Sequence, residues 1–396
     1  MHRNKQLGLL TIILCLALIT GSCKWFKGNS NKNTNSNSPK LARWVAQYRS
    51  PLAQGLTGND LAESFYYSSI SVLSSSLVYV GGDMRNPKNR DDRVGVVVKT
   101  TDGGQTWNET ILEQPGVALI RINGLAFVDS ETGYAVGRGQ SNDAIMFKTT
   151  DGGRTWSFSR IAGLKQTPTC IFMADAETGW MGGSTSVDPG DDEDESEPGG
   201  PSDLMATTDG GKTWQSQVRL PVTIYDLQFL DKLMGWASGS NGAIYHTTNG
   251  GLSWDKQRTE LEPGEAFTIP GSEGAKKFDM NGISFIDADH GYAVARSREE
   301  EDTGRVLGTS NGGEVWAKQR IVADSGARDI CFLDTNEGWI LTDKGSYIYH
   351  TVDGNRTWLS EKKDLEFDPP LSRLGAADAQ HVWAVGGGVI LVRQSD

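Results

Sequence analysis

"KTTDGGQTWNET", Lys99 to Thr110, returns along the chain as "KTTDGGRTW" (Lys148–Trp156), "ATTDGGKTW" (Ala206–Trp214), "HTTNGGLSW" (His246–Trp254), "GTSNGGEVW" (Gly308–Trp316) and "HTVDGNRTW" (His350–Trp358). Six copies of one turn mark a repeat protein. Their Asp or Asn residues, Asp102, Asp151, Asp209, Asn249, Asn311 and Asp353, lie 49, 58, 40, 62 and 42 residues apart. Upstream of each turn a second string recurs, a small apolar cluster around a Gly: "GYAVG" (133–137), "GWMGG" (179–183), "GWASG" (235–239), "GYAVA" (291–295) and "GWILT" (338–342). "LVYVG" (77–81) and "VWAVG" (382–386) bring these clusters to seven.

Alternating segments such as "INGLAFVD" and "IYDLQFLD" precede each cluster, and others such as "IMFKTT" and "AIYHTT" follow it. Period-two alternation with β-branched and aromatic residues predicts strands. Each unit is therefore a four-stranded antiparallel meander of about 40 residues plus insertions, the quoted turn joining its third and fourth strands, which is the size of a propeller blade. The expected fold is all-β, a seven-bladed β-propeller. Seven clusters with six turns leave the last blade short of its outer strand. "ARWVAQYRS" (42–50) supplies one, because Trp44 is followed by the same pattern that follows Trp107 and Trp156. This N-terminal strand is expected to close the ring and remove its free edges.

Within the turn the Asp can accept hydrogen bonds from following backbone N–H groups, the Gly pair tolerates positive φ, and the Trp fills the gap against neighbouring strands. A metal-ligand or acid role is disfavoured, since catalytic residues are seldom copied into every blade and Asn249 and Asn311 keep only the hydrogen-bonding capacity. The turns resemble the Asp-box, or bacterial neuraminidase repeat, S/T-x-D-x-G-x-T-W. The longer phrase "INGLAFVDSETGYAVG…IMFKTTDGGRTW" resembles blades of the photosystem II stability and assembly factor family, over about residues 42–396. That resemblance implies a seven-bladed propeller serving assembly of a membrane complex, which in a photosynthetic host is photosystem II.

Sialidases share the Asp-box, so hydrolysis is the competing expectation. Their first arginine stands in an F/Y-R-I-P string, and the nearest match here, "IRIN" (120–123), lacks both the aromatic and the Pro. Glu131, Glu177 and Glu337 recur in the turns between first and second strands and read as turn formers. His246, His290, His350 and His381 form no metal set or nucleophile–base pair. The reading is a protein-binding chain without enzymatic role, cofactor or metal, acting as a monomer, with a glycan-binding or glycoside-hydrolysing sialidase relative, or an envelope scaffold, as alternatives.

A basic start (His2, Arg3, Lys5), an apolar run from Leu7 to Thr20 and "ITGSC" form a secretory signal over 1–22 that resembles a lipobox, with Cys23 as the lipid-attachment residue. An Asn/Ser/Lys-rich tether is expected over 23–40, then the propeller over 41–396 with a disordered acidic loop at about 187–203. The protein would be membrane-anchored, facing the periplasm or extracellular space, or the thylakoid lumen in a photosynthetic host. Without Arg3 and Lys5 the chain holds 36 basic and 50 acidic residues, a net charge of −14 that argues against nucleic acid. Cys170 and Cys331 read as buried thiols rather than a disulfide pair.

The blades differ mainly in insertions at 83–95, 184–203 and 296–304 between second and third strands, and around 261–277 between blades. In a meander these share one face, opposite the repeated turns, where loops on a rigid scaffold can carry function. Arg121, Arg328 and Arg373 near the starts of innermost strands, with Arg138 and Arg296 at the ends of second strands, are the candidate anion or peptide-carboxylate site.

Overall fold

The computed structural model describes residues 42–395 apart from 54, 57, 90–91, 118–119, 140–142, 163, 165, 186–199, 260–277, 299–303, 322–325, 344–346 and 367. The expected signal, Cys23, tether and most of the acidic loop lie outside the described residues. Seven four-stranded antiparallel units follow in order: 65–112, 120–160, 167–220, 224–256, 278–321, 327–364, and 371–395 together with 42–49. The first strand of each unit touches the first strands of both neighbouring units, so seven strands close a ring around the axis. This is the expected propeller.

Ala42–Arg49 lies antiparallel to Val389–Ser395, as expected of the closing strand, and also parallel to Leu359–Asp364 of blade 6. At that seam Glu361 accepts bonds from Trp44 Nε1 at 3.0 Å and from Arg393 Nε and a terminal guanidinium nitrogen at 2.7 to 3.0 Å. His350 lies between Glu361 and Glu337 and stacks on Trp339. Trp44 and Trp339 are wholly buried. A buried carboxylate is tolerated there because several donors meet it.

The repeated turns are built alike. Thr100 Oγ1 accepts Gly104 N–H at 2.8 Å and donates to Asp102, while Asp102 accepts Thr106 N–H at 2.9 Å and Thr106 Oγ1 at 2.6 Å. Gly103 and Gly104 have φ of 72° and 90°, where a side chain would be strained. Asp151, Asp209 and Asp353 repeat the pattern. Asn249 accepts Ser253 N–H and donates Nδ2 to Ser253 Oγ, whereas Asn311 accepts the Thr309 hydroxyl and the N–H of Val315, a residue with no hydroxyl to pair with its amide.

Five of the six turns are also fastened to the preceding blade. The carbonyls of Gly103, Gly152, Gly210, Gly250 and Gly312 accept bonds from Gln47, Lys99, Lys148, Trp180 and Trp236 respectively. The aromatic residue of the recurring G-Y/W string stacks on the Phe ending the next blade's first strand: Tyr79 on Phe127, Trp180 on Phe229, Trp236 on Phe285 and Tyr292 on Phe332, at 3.5 to 3.8 Å. The turn's Trp then meets that Phe edge-on, as Trp316 meets Phe285. Between first and second strands the structural Asp is the neighbour of the expected Glu: Asp129, not Glu131, accepts the N–H groups of Glu131 and Thr132. Cys170 is a buried free thiol and Cys331 is also buried, and the two are not bonded to each other, as expected.

Candidate functional site

Every first strand carries a β-bulge at the same place, adding Ser68, Asn123, Thr169, Tyr225, Asn281, Arg328 and Ser372. Bulges re-aim side chains at barrel rims and beside binding sites. Five of the seven have one job. Ser68, Asn123, Thr169, Asn281 and Ser372 each donate to the next blade's carbonyl just before its own bulge, at Ile122, Pro168, Ile224, Ala327 and Tyr67.

Tyr225 and Arg328 break the pattern, and at both joints the following residue takes over. Asp226 accepts the N–H of Ile283 in blade 5 at 3.1 Å, and Asp329 accepts the N–H of Leu374 in blade 7 at 2.6 Å. The ring of inter-blade bonds is thus complete, while the bulge side chains of blades 4 and 6 are released from it. Gly282 sits beside this arrangement because a Cβ there would come within 2.9 Å of Asp329 Oδ1.

The residues after the bulges are Ser69, Gly124, Cys170, Asp226, Gly282, Asp329 and Arg373. Ser69, Gly124, Cys170, Asp226 and Arg373 line an axial cavity of about 40 Å³. That volume accommodates water and not a sugar or peptide. Burial pushes the Asp329 carboxyl up to about 7 against the pull of Arg373, with Asp226 adding to the rise. Burial likewise raises Asp226 and pushes the Cys170 thiol up to about 12.

At the strand starts, on the side of the insertions, two basic groups surround acids. Arg93 pairs with buried Asp83, and Arg121 and Arg138 act on the same carboxylate. Burial raises Asp83 despite all three. Arg121 and Arg138 face each other in the blade 2 ladder. On blades 5 and 6, Asp343 meets Arg328 and, at 3.6 Å, Arg296, while Asp279 lies 3.7 Å from Arg298, which also donates to Asn241 at 2.7 Å. Tyr225 is raised by burial and feels Asp279, Arg298 and Arg296, which places its phenol in this group.

Four of the five arginines expected at the mouth are therefore found in these two groups: Arg121 and Arg138 in one, Arg296 and Arg328 in the other. Arg373 lies deeper, on the axis. Sequence reading missed Arg93, Arg298 and Tyr225, and the acids Asp83, Asp226, Asp279, Asp329 and Asp343 that hold the arginines. The available signal was a charged residue in a first strand where other blades have Gly, Ser or Cys. Among the described residues no group of three or more His, Cys, Asp or Glu could hold a metal.

No protein-family model matches the chain, and no curated protein matches it. Solved structures do match its fold. YCF48 bound to D1 peptide superposes with a TM-score of 0.60 at 16% identity, covering 92% of this chain and 99% of that one. YCF48 from Cyanidioschyzon merolae gives 0.58 at 18%, covering 89% and 98%. The GH74 xyloglucanase from Xanthomonas campestris gives 0.56 at 12%, covering 88% of this chain and 53% of that one.

Proposed function

We propose that this chain is a protein-binding propeller, a monomer held at a membrane through a lipid on Cys23 and exposed outside the cytoplasm, that serves assembly or stability of a membrane protein complex. The observation that carries the reading is the clustering of guanidinium groups, among the described residues, at the insertion-bearing mouth of an acidic chain: Arg93, Arg121 and Arg138 around Asp83, and Arg296, Arg298 and Arg328 around Asp279 and Asp343. Buried Asp83 and the partly buried Asp279 and Asp343 preorganise the arginines, and such forks suit carboxylates of an acidic or C-terminal peptide. A YCF48-like propeller fold, one example of which is solved bound to a D1 peptide, supports a peptide as the kind of ligand. The narrow axial cavity makes the outer mouth the available surface.

The test compares Arg121→Ala and Arg328→Ala with Lys212→Ala, on a repeated turn at the opposite end, for capture of client from crosslinked membranes at low and moderate salt. A desolvated Arg–carboxylate contact costs about 2–5 kcal/mol on truncation. Loss of client with Lys212→Ala and retention with both arginine variants would assign binding to the wrong end. Hydrolases among the structural neighbours define the competing reading. Turnover of sialosides or xyloglucan above a heat-killed control would favour it over the binding function.

A further inference from the structure

The direction of the closing strand fixes which end of the propeller the N-terminal segment leaves from. Ala42 lies opposite Ser395, at the end of a third strand, and Arg49 opposite Val389, at its beginning. Third strands run toward the repeated turns, so Ala42 emerges at the turn end, next to the strand beginning at Leu359. The arginine-bearing mouth is at the far end. Forty-one residues precede Ala42, including the apolar run and Cys23.

The same end carries most of the exposed apolar side chains. Of the six large hydrophobic residues exposed among the described residues, Leu233, Leu252, Val352 and Leu359 are at the turn end, with Leu233 and Leu252 exposed by 58% and 74%. The Leu233 carbonyl accepts Gly250 N–H at 2.8 Å, so the two leucines belong to adjoining turns of blade 4. Other blades place polar residues at the same positions: Glu131 and Glu177 in place of Leu233, Arg154 and Lys212 in place of Leu252. Polar tips are what folding alone needs there, and apolar ones gain free energy only by leaving water.

We propose that the turn end is the membrane-facing end, and that Leu233 and Leu252 dip into the interfacial layer of a zwitterionic or uncharged bilayer, leaving the arginine mouth pointed away from it. The proposal rests on the membrane anchoring proposed above. Neighbouring first turns are acidic, with Asp129, Glu131, Asp175 and Glu177, so anionic lipid is disfavoured.

The experiment places an environment-sensitive fluorophore at Leu252→Cys or at Lys88→Cys, an exposed position at the mouth end, in the full chain on phosphatidylcholine vesicles, and measures quenching by brominated phosphatidylcholine. Quenching at 252 and not at 88 is expected. In the Cys23→Ala background the same pattern should persist at higher lipid concentration, and Leu233→Glu with Leu252→Glu should weaken partitioning about tenfold. If the parent chain floats with vesicles but 252 is unquenched, or 88 is quenched instead, the orientation is wrong while the anchor stands. If the parent chain does not float at any lipid concentration, both readings fall.

Discussion

Aspartates in the repeated turns and on the propeller axis respond to the fold in opposite directions. In the turns, Asp102, Asp151 and Asp209 are solvent-facing, and hydrogen bonds from Thr hydroxyls and N–H groups lower their carboxyls to about 2. On the axis, Asp226 and Asp329 also accept N–H groups, yet burial outweighs those bonds and raises both, Asp329 to about 7. The same residue type making the same kind of bond is stabilised as an anion at the surface and opposed as one in the interior. Repetition follows from this difference. The turn solves its geometry cheaply and is copied six times, whereas the axial carboxylate is used only at two joints, where it frees the neighbouring bulge residue, Tyr225 or Arg328, for the mouth.

The strongest way to break the comparison is to remove the ring on which both depend. Deleting Leu41–Ser50 should abolish the cooperative thermal transition, and Trp44→Ala should cost about 3–5 kcal/mol, read by denaturant titration. A truncated chain that melts like the parent would show the ring does not need its closing strand. Next, Asp329→Leu should leave Leu374 N–H without an acceptor and cost about 1–3 kcal/mol, while Asp329→Asn should retain much of that bond.

The pH profile sharpens the contrast. An unfolded Asp titrates near 3.9. Between about pH 4 and 7 the folded state binds the extra proton at Asp329, so stability falls as pH rises across that window. Asp329→Asn should flatten this slope. The turn aspartates act with the opposite sign: their contribution is present above about pH 4 and is lost as pH falls toward 2. A profile whose slope between pH 4 and 7 is identical in parent and Asp329→Asn would remove the axial carboxylate as the cause. The smallest effect is expected of Asn249→Asp, because Ser253 can donate its hydroxyl instead of accepting; stability should move by less than about 0.5 kcal/mol.

Much of this architecture was legible in the chain because it is copied. Seven Gly-flanked clusters and six turns define the blades, and Trp44 stands where the seventh turn's Trp would be. The arginines of the mouth were legible by position, at strand starts and ends. Their partners were not, because Asp226 in "IYDLQF" and Asp329 in "ARDICF" read as ordinary polar members of alternating strands. Only the bulge, one residue that shifts the ladder, reveals that Ser69, Gly124, Cys170, Asp226, Gly282, Asp329 and Arg373 share one position. A bulge leaves no periodic trace in a single strand, and the inter-blade bonds beside the bulges join residues 45 to 57 apart, or 305 apart where blade 7 meets blade 1. The hydrogen bonds inside each turn, by contrast, span four residues or fewer and could be read locally.

The closing strand also has a meaning in time. The residues of the outermost strand of blade 7 precede the rest of the propeller in the chain, and their partners at 389–395 follow all of it. Trp44 therefore waits for Glu361, 317 residues later, and for Arg393 beyond it. Contacts so distant along the chain delay folding, and a growing chain with unpaired strand edges is prone to misassembly. A nascent propeller of this design stays open until residues 389–395 have been made, so losing that strand is as damaging as losing the closing strand 42–49.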